Sequence, residues 1–185
     1  MAERSRAGGR LVVLRGNSGS GKSTVARQVQ ERFPRGTCAV VSQDYLRRIV
    51  LREPDRPGAF NVTLIETVAG ACLERGLVVI VEGIFDARRY SAVLARLADR
   101  VEHPLFYAWD LPFEETTRRH TMRSQSSEFT ATQMSTWYHG WQFLDFTSEF
   151  RLDAQWPARV VTDRIVADLD AIRSAFRCPP SDPRP

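Results

Sequence analysis

A chain of 185 residues, 43% hydrophobic and 26% charged, has the make-up of one soluble globular domain with a proper core. No apolar run approaches membrane-spanning length, and the first ten residues lack the hydrophobic stretch of a secretory leader. The net charge of +4 and pI near 9.3 suit a polyanionic ligand, but the arginines are dispersed, with little aromatic interleaving, which argues against nucleic acid as the main substrate.

In chain order, residues 1–10 read as a flexible N-terminus. Leu11-Val12-Val13-Leu14 predicts a strand buried on both faces. After a glycine-rich turn, Val25, Ala26, Val29 and Phe33 recur at helical spacing until Pro34 and Gly36 stop the helix. Cys38 to Ser42 predicts a second strand, then a short helical stretch around Tyr45 to Leu51 and a surface loop over Arg52 to Ala59. Asn61 is placed to cap a helix with Leu64, Ile65, Val68, Ala69 and Cys72 on one face. Leu77 to Val81, the most apolar run, predicts a central strand; Tyr90, Val93, Leu94 and Leu97 mark the next helix. Leu105 to Trp109 predicts a fourth strand, and Pro112 with Glu114 and Glu115 opens a helix with favourable first-turn chemistry.

Thr130-x-x-Gln133 has the form of a capping box for a helix carrying Met134, Trp137, Tyr138 and Trp141. Arg159 to Thr162 predicts a short fifth strand, and Ile165, Val166, Leu169, Ile172 and Phe176 line a final helix. Residues 177–185 hold four prolines and read as a disordered tail. Strands alternating with helices imply a parallel sheet covered on both faces, in a single α/β domain over residues 11–176. Cys38, Cys72 and Cys178 are odd in number and without ligand spacing, which suits a reducing cytoplasm.

Lys22 is the only lysine; every other one of the 26 basic side chains is an arginine. It sits in Gly16-Asn17-Ser18-Gly19-Ser20-Gly21-Lys22-Ser23-Thr24, which fits G-x-x-x-x-G-K-[ST] between a strand and a helix, the context that motif requires. The glycines let backbone N–H groups turn inward on phosphate oxygens. A compact ammonium fits beneath the β- and γ-phosphates where a planar guanidinium would not. Ser23 would offer its hydroxyl to Mg²⁺, and the helix adds its positive end.

These residues make the chain resemble the small P-loop kinases of the nucleoside-monophosphate-kinase-like group, such as shikimate and gluconate kinases, chloramphenicol phosphotransferase and zeta-type toxins. The resemblance implies ATP and Mg²⁺ as cofactors and a three-layer fold, with a five-stranded parallel sheet of order 2-3-1-4-5. It also implies a small helical lid, here at about residues 118–135.

It implies, further, that Asp44, just past the second strand, accepts the proton of the substrate hydroxyl; capping of the helix that follows is the plainer alternative. Arg47 and Arg48, one turn on, are candidates for binding the acceptor or for a solvated face. Glu82 ends an apolar strand, as does the second nucleotide motif of such kinases, and serves either the metal or the acceptor. Asp86, Arg88, Arg89 and Tyr90 follow at once, with Arg89 a candidate for acceptor binding.

Arg119 and Arg123 share a helix face and correspond to lid arginines that close on the phosphates; a basic helix end is the alternative. Thr162, placed after the last strand, falls where such kinases touch adenine. The aromatic stretch from Trp137 to Trp156 reads as a wall for a bulky acceptor or as a satellite core.

The expected activity is transfer of the γ-phosphate of ATP to a hydroxyl of a small molecule: a metabolite, nucleoside or antibiotic. The alternatives are a polynucleotide 5′-hydroxyl kinase and an ATP-binding switch that works through a protein partner.

Overall fold

The computed structural model describes residues 8–121 and 131–175. Five parallel strands form its sheet: β1 (Arg10–Arg15), β2 (Cys38–Ser42), β3 (Val78–Gly83), β4 (Leu105–Trp109) and β5 (Phe150–Leu152), in the order β2-β3-β1-β4-β5. The helices are α1 (Lys22–Gln30), α2 (Gln43–Tyr45), α3 (Asn61–Glu74), α4 (Ala87–Ala98), α5 (Phe113–Thr121), α6 (Ala131–Trp137) and α7 (Ala158–Ala175), with a π-helical turn over Leu46–Val50.

Alternation along the central strands explains the layers. Leu11 and Val13 of β1, with Val79 and Val81 of β3, face a core closed by Ile65 and Leu73 of α3 and Val93 and Leu97 of α4. Their neighbours Val12, Leu14, Val78 and Ile80 face the opposite core, closed by Val25 and Val29 of α1 and Ile165 and Leu169 of α7. Period-two side chains on a sheet covered on both faces leave no polar alternation in these strands, hence the apolar runs. Leu14 pairs with Glu82, and Arg15 with both Gly83 and Ala108, so the carboxyl ends of β1, β3 and β4 finish level. That rim of the sheet carries everything below.

Four expectations need correction. Arg10 belongs to β1, paired with Val78, rather than to a flexible N-terminus. Arg159 to Thr162 is the first turn of α7, and the fifth strand is Phe150–Leu152, paired with Tyr107–Trp109. The burial of Val161, Ile165 and Leu169 four apart is helical, and that spacing overrides the β-branched pair Val160-Val161.

Asn61 does not cap α3. It is fully buried and accepts a hydrogen bond from the Tyr90 hydroxyl at 3.0 Å on its Oδ1. The capping is done by Glu53, whose carboxylate accepts from the N–H groups of Phe60 (2.7 Å) and Asn61 (3.0 Å). Those bonds, led by the Phe60 N–H, hold the Glu53 carboxyl below the usual carboxylate range. Trp141 lies beyond α6, which ends at Trp137. Thr130, Arg123, the middle of the expected lid and the proline-rich tail lie outside the described residues. Among those described, no helix is long and apolar enough to cross a membrane.

Candidate active site

The β1–α1 turn builds the phosphate loop from residues 16–21. Gly16, Gly19 and Gly21 all have positive φ, and at Gly19 (φ +81°) an added Cβ would fall 2.4 Å from the Thr116 carbonyl oxygen of α5. Only glycine allows that curvature and that close approach together. Lys22 is buried and folds back over the loop, donating from Nζ to the Asn17 carbonyl oxygen (2.8 Å) and the Ser20 hydroxyl (3.1 Å). Ser23 and Thr24 occupy the first turn of α1, and Ser18 faces the open cleft.

Level pairing of β1 and β3 sets Glu82 beside this loop. Its carboxylate is buried and accepts the Ser23 hydroxyl at 3.1 Å. Two hard oxygen donors, one anionic, at the mouth of a phosphate loop fit Mg²⁺, which takes one or two protein ligands and completes its octahedron with waters and substrate phosphates. Among the described residues no group of three or more His, Cys, Asp or Glu side chains forms a dedicated cage.

Asn17 does more than turn the loop. Its amide donates from Nδ2 to the His139 carbonyl, and its Oδ1 accepts the His139 N–H at 3.1 Å. The chain after α6 is thereby tied to the loop by both halves of one side chain. Beneath it, the Arg15 guanidinium binds Glu149 at 2.9 Å and the Gln142 carbonyl at 2.9 Å, with both partners of the ion pair almost fully buried. Burial pushes the Glu149 carboxyl above its ordinary value, against the pull of Arg15.

Of the two candidate lid arginines, Arg119 lies among the described residues. From α5 it donates to Glu115 (2.6 Å), to the Ser20 carbonyl (3.2 Å) and to the Ala154 carbonyl just past β5 (2.9 Å). It thus joins the phosphate loop to the segment between the last strand and the last helix. Arg118 and Arg119 together hold the Glu115 carboxyl down, to about 2. Thr162 is different. It is buried in α7, its hydroxyl donates to the Ala158 carbonyl at 2.8 Å and lies 3.0 Å from Gln28 Oε1, and it faces no open ground. The stretch between the last strand and the last helix is 153–157.

A cleft of about 990 Å³ opens at the carboxyl rim of the sheet. Ser18 of the loop, Asp44, Arg48, Arg89, Trp137 and Tyr138 are among the residues that line its walls. Asp44 follows β2 through Ser42, whose hydroxyl caps α2 by accepting the Tyr45 N–H. Its carboxylate, more than half exposed, is steadied by Arg47 (2.9 Å) and Arg48 (3.2 Å). The capping role once open to Asp44 therefore belongs to Ser42. Asp86 caps α4 from its Oδ1 and holds Arg88, whose hydrogen bond draws its carboxyl below the usual range. Arg89 pairs with Asp55 at 2.9 Å.

Under this wall lies a polar knot: the Tyr90 hydroxyl receives Gln43 Nε2 at 3.0 Å and lies 3.1 Å from Asp55 and 3.0 Å from Asn61. Burial and the nearby Asp55 charge push the Tyr90 phenol up to about 12. The knot locks the end of β2 to α3 and α4, and with them the wall that carries Asp44. The aromatic stretch divides between its two readings: Trp137 and Tyr138 line the cleft, whereas Phe146 joins one core and Phe150 and Trp156 the other.

Fold and site together define a P-loop nucleotide-binding protein, with a five-stranded parallel sheet and an open cleft beside the phosphate loop. The chain belongs to the AAA domain family, whose model matches residues 11–139. Its fold is that of the small P-loop kinases. It is similar to the APS kinase CysC of Mycobacterium tuberculosis, solved with AMPPNP and APS (21% identity, TM-score 0.66, 89% of this chain and 99% of that one). It is also similar to a gluconokinase from Sinorhizobium meliloti (16% identity, TM-score 0.60, 93% and 97%). The tunicamycin resistance protein of Deinococcus radiodurans shares the fold as well (17% identity, TM-score 0.56, 86% and 95%). Among curated proteins, no sequence matches the chain.

Proposed function

We propose that the protein is an ATP- and Mg²⁺-dependent kinase that phosphorylates a hydroxyl of a small molecule. The observation that carries this reading is the shared rim: Ser18 of the phosphate loop and Asp44 line the same cleft, with the Ser23–Glu82 pair behind the loop. Structures of this fold solved as APS kinase and gluconokinase support it. Bound Mg²⁺ would draw charge from the β- and γ-phosphates and fix their orientation.

The chain's own residues do the rest. Loop amides and Lys22 hold the phosphates, Lys22 exchanging its bonds to Asn17 and Ser20 for phosphate oxygens. Arg119, already against Ser20, stabilises charge on the migrating phosphoryl group. Asp44 orients the acceptor hydroxyl toward the loop and takes its proton as the new P–O bond forms and ADP leaves. Trp137 and Tyr138 cover the acceptor and exclude water, which would otherwise compete as nucleophile.

The test is ADP release against a panel of hydroxylated acceptors: sugars, nucleosides, shikimate-like acids, antibiotics and a 5′-hydroxyl oligonucleotide. Asp44→Asn should retain AMPPNP binding while acceptor-dependent turnover falls by about 10²–10⁴. Normal turnover by Asp44→Asn removes that residue as the base; nucleotide binding with no acceptor response points to a switch instead.

A further inference from the structure

A second cavity, of about 190 Å³, opens beside the acceptor cleft. Arg56, Arg88 and Arg89 line it together with Pro57, Gly58, Val62 and Tyr90, and no carboxylate is among its lining residues. Pro57, Arg88 and Arg89 border both spaces, so the cavity is a side chamber of the cleft on whose wall Asp44 stands.

The charge that lines this chamber is all of one sign. Arg88 and Arg89 occupy the first turn of α4, where the helix dipole disfavours cations and no acidic residue follows the cap. Asp86 and Asp55 each hold one of them, but both carboxylates stand outside the chamber, in or beneath the cleft wall. Arg56 projects from the 52–59 loop and is exposed. Among the described residues its side chain makes no hydrogen bond or ion pair; its charge acts through space on Glu53. Three guanidiniums thus border one small hollow, two of them held by carboxylates on its cleft side, with no acid facing them from within it.

We propose that this chamber binds an oxyanion carried by the acceptor: a phosphate, sulfate or carboxylate group at the end of the molecule away from the hydroxyl that reacts. Guanidinium forks match two oxygens of such a group at once. The nucleotide does not supply that anion, because no phosphate-loop residue lines the chamber. The acceptor therefore spans the distance from Asp44 to the arginines, and its class is an anionic alcohol. This rests on the reading of the cleft as the acceptor site, but binding is measurable without turnover.

The experiment is calorimetric titration of sulfate, phosphate and acetate, at constant ionic strength, into protein saturated with Mg–AMPPNP so that the phosphate loop is filled. One sulfate or phosphate per chain is expected, with affinity falling about tenfold or more in Arg56→Gln/Arg88→Gln. Both side chains are exposed, so an unchanged unfolding temperature and AMPPNP affinity will certify the variant. Acetate binding as tight as sulfate assigns a carboxylate; sulfate and phosphate alone assign a tetrahedral oxyanion. No anion site in the nucleotide-loaded protein, or one indifferent to the double substitution, overturns the proposal. Failure of the kinase reading shows separately, in the AMPPNP titration and the acceptor panel.

Discussion

Gly19→Ala adds a single methyl group where α5 presses hardest on the phosphate loop. Two separable costs follow. The first is the backbone: an alanine at φ +81° loses about 1–2 kcal/mol. The second is contact. The new Cβ would lie 2.4 Å from the Thr116 carbonyl oxygen, and helix or loop must retreat until that gap passes the 3.0 Å floor of real packing. Overpacking against a backbone atom that cannot swing aside costs about 1–3 kcal/mol more. The sum, about 2–5 kcal/mol, lowers the unfolding temperature by roughly 5–15 °C in a domain of this size.

Gly21→Ala is the matched control, because it has positive φ (+105°) yet its Cβ would meet nothing within 4 Å. It should lose the first cost alone, about 1–2 kcal/mol. Differential scanning calorimetry of both variants, with and without Mg–AMPPNP, separates the two. Both substitutions disturb loop amides and should weaken the nucleotide, Gly19→Ala more than Gly21→Ala because it also shifts α5 against the loop. Equal losses in the two variants would refute the close seat of α5 on the loop.

Arg119→Ala should lower turnover on the order of 10² while changing AMPPNP affinity much less; unchanged kinetics would remove it from the lid role. Glu53→Gln should reduce the unfolding temperature and flatten its acid limb. The folded carboxyl value lies below the unfolded one, so its contribution is present above the ordinary carboxylate range and is lost as pH falls through the folded value. A variant whose melting curve shifts equally at pH 7 and pH 3 contradicts Glu53 as the ionised cap of α3. Tyr90→Phe removes the centre of the knot, leaving Gln43 and Asn61 each short of a partner, at about 1–3 kcal/mol. Urea unfolding with an unchanged slope reads this directly, and a loss near zero would show that water replaces the hydroxyl.

What the amino-acid order announced was whatever depends on near neighbours. The glycine spacing around Lys22, the apolar runs of β1 and β3, and Asp44 and Glu82 at strand ends are all local signals; alternation gave a parallel sheet, and its strand order came from the resemblance to small P-loop kinases. What it concealed depends on distant partners. Phe150–Leu152 is three residues long and is a strand only because Trp109 and its neighbours lie alongside. Asn61 looked like a cap because cap chemistry is local, whereas its side chain answers to Tyr90, 29 residues on. The Asn17–His139 tie and the Arg15–Glu149 pair span 122 and 134 residues, and no periodicity encodes them. Thr162 was misplaced with the strand that it was thought to follow.

The solitary lysine has a practical consequence. Amine-directed reagents, which on most proteins label a scatter of surface sites, have one side-chain target in this sequence, and it lies buried under the phosphate loop. Incorporating lysine labelled with ¹⁵N at Nζ likewise places a single spectroscopic probe, on the ammonium that, on the proposed reading, exchanges the Asn17 carbonyl for phosphate oxygens. Occupancy of the loop can therefore be followed by one resonance, on the unmodified chain and in the presence of any acceptor, before the acceptor has been identified.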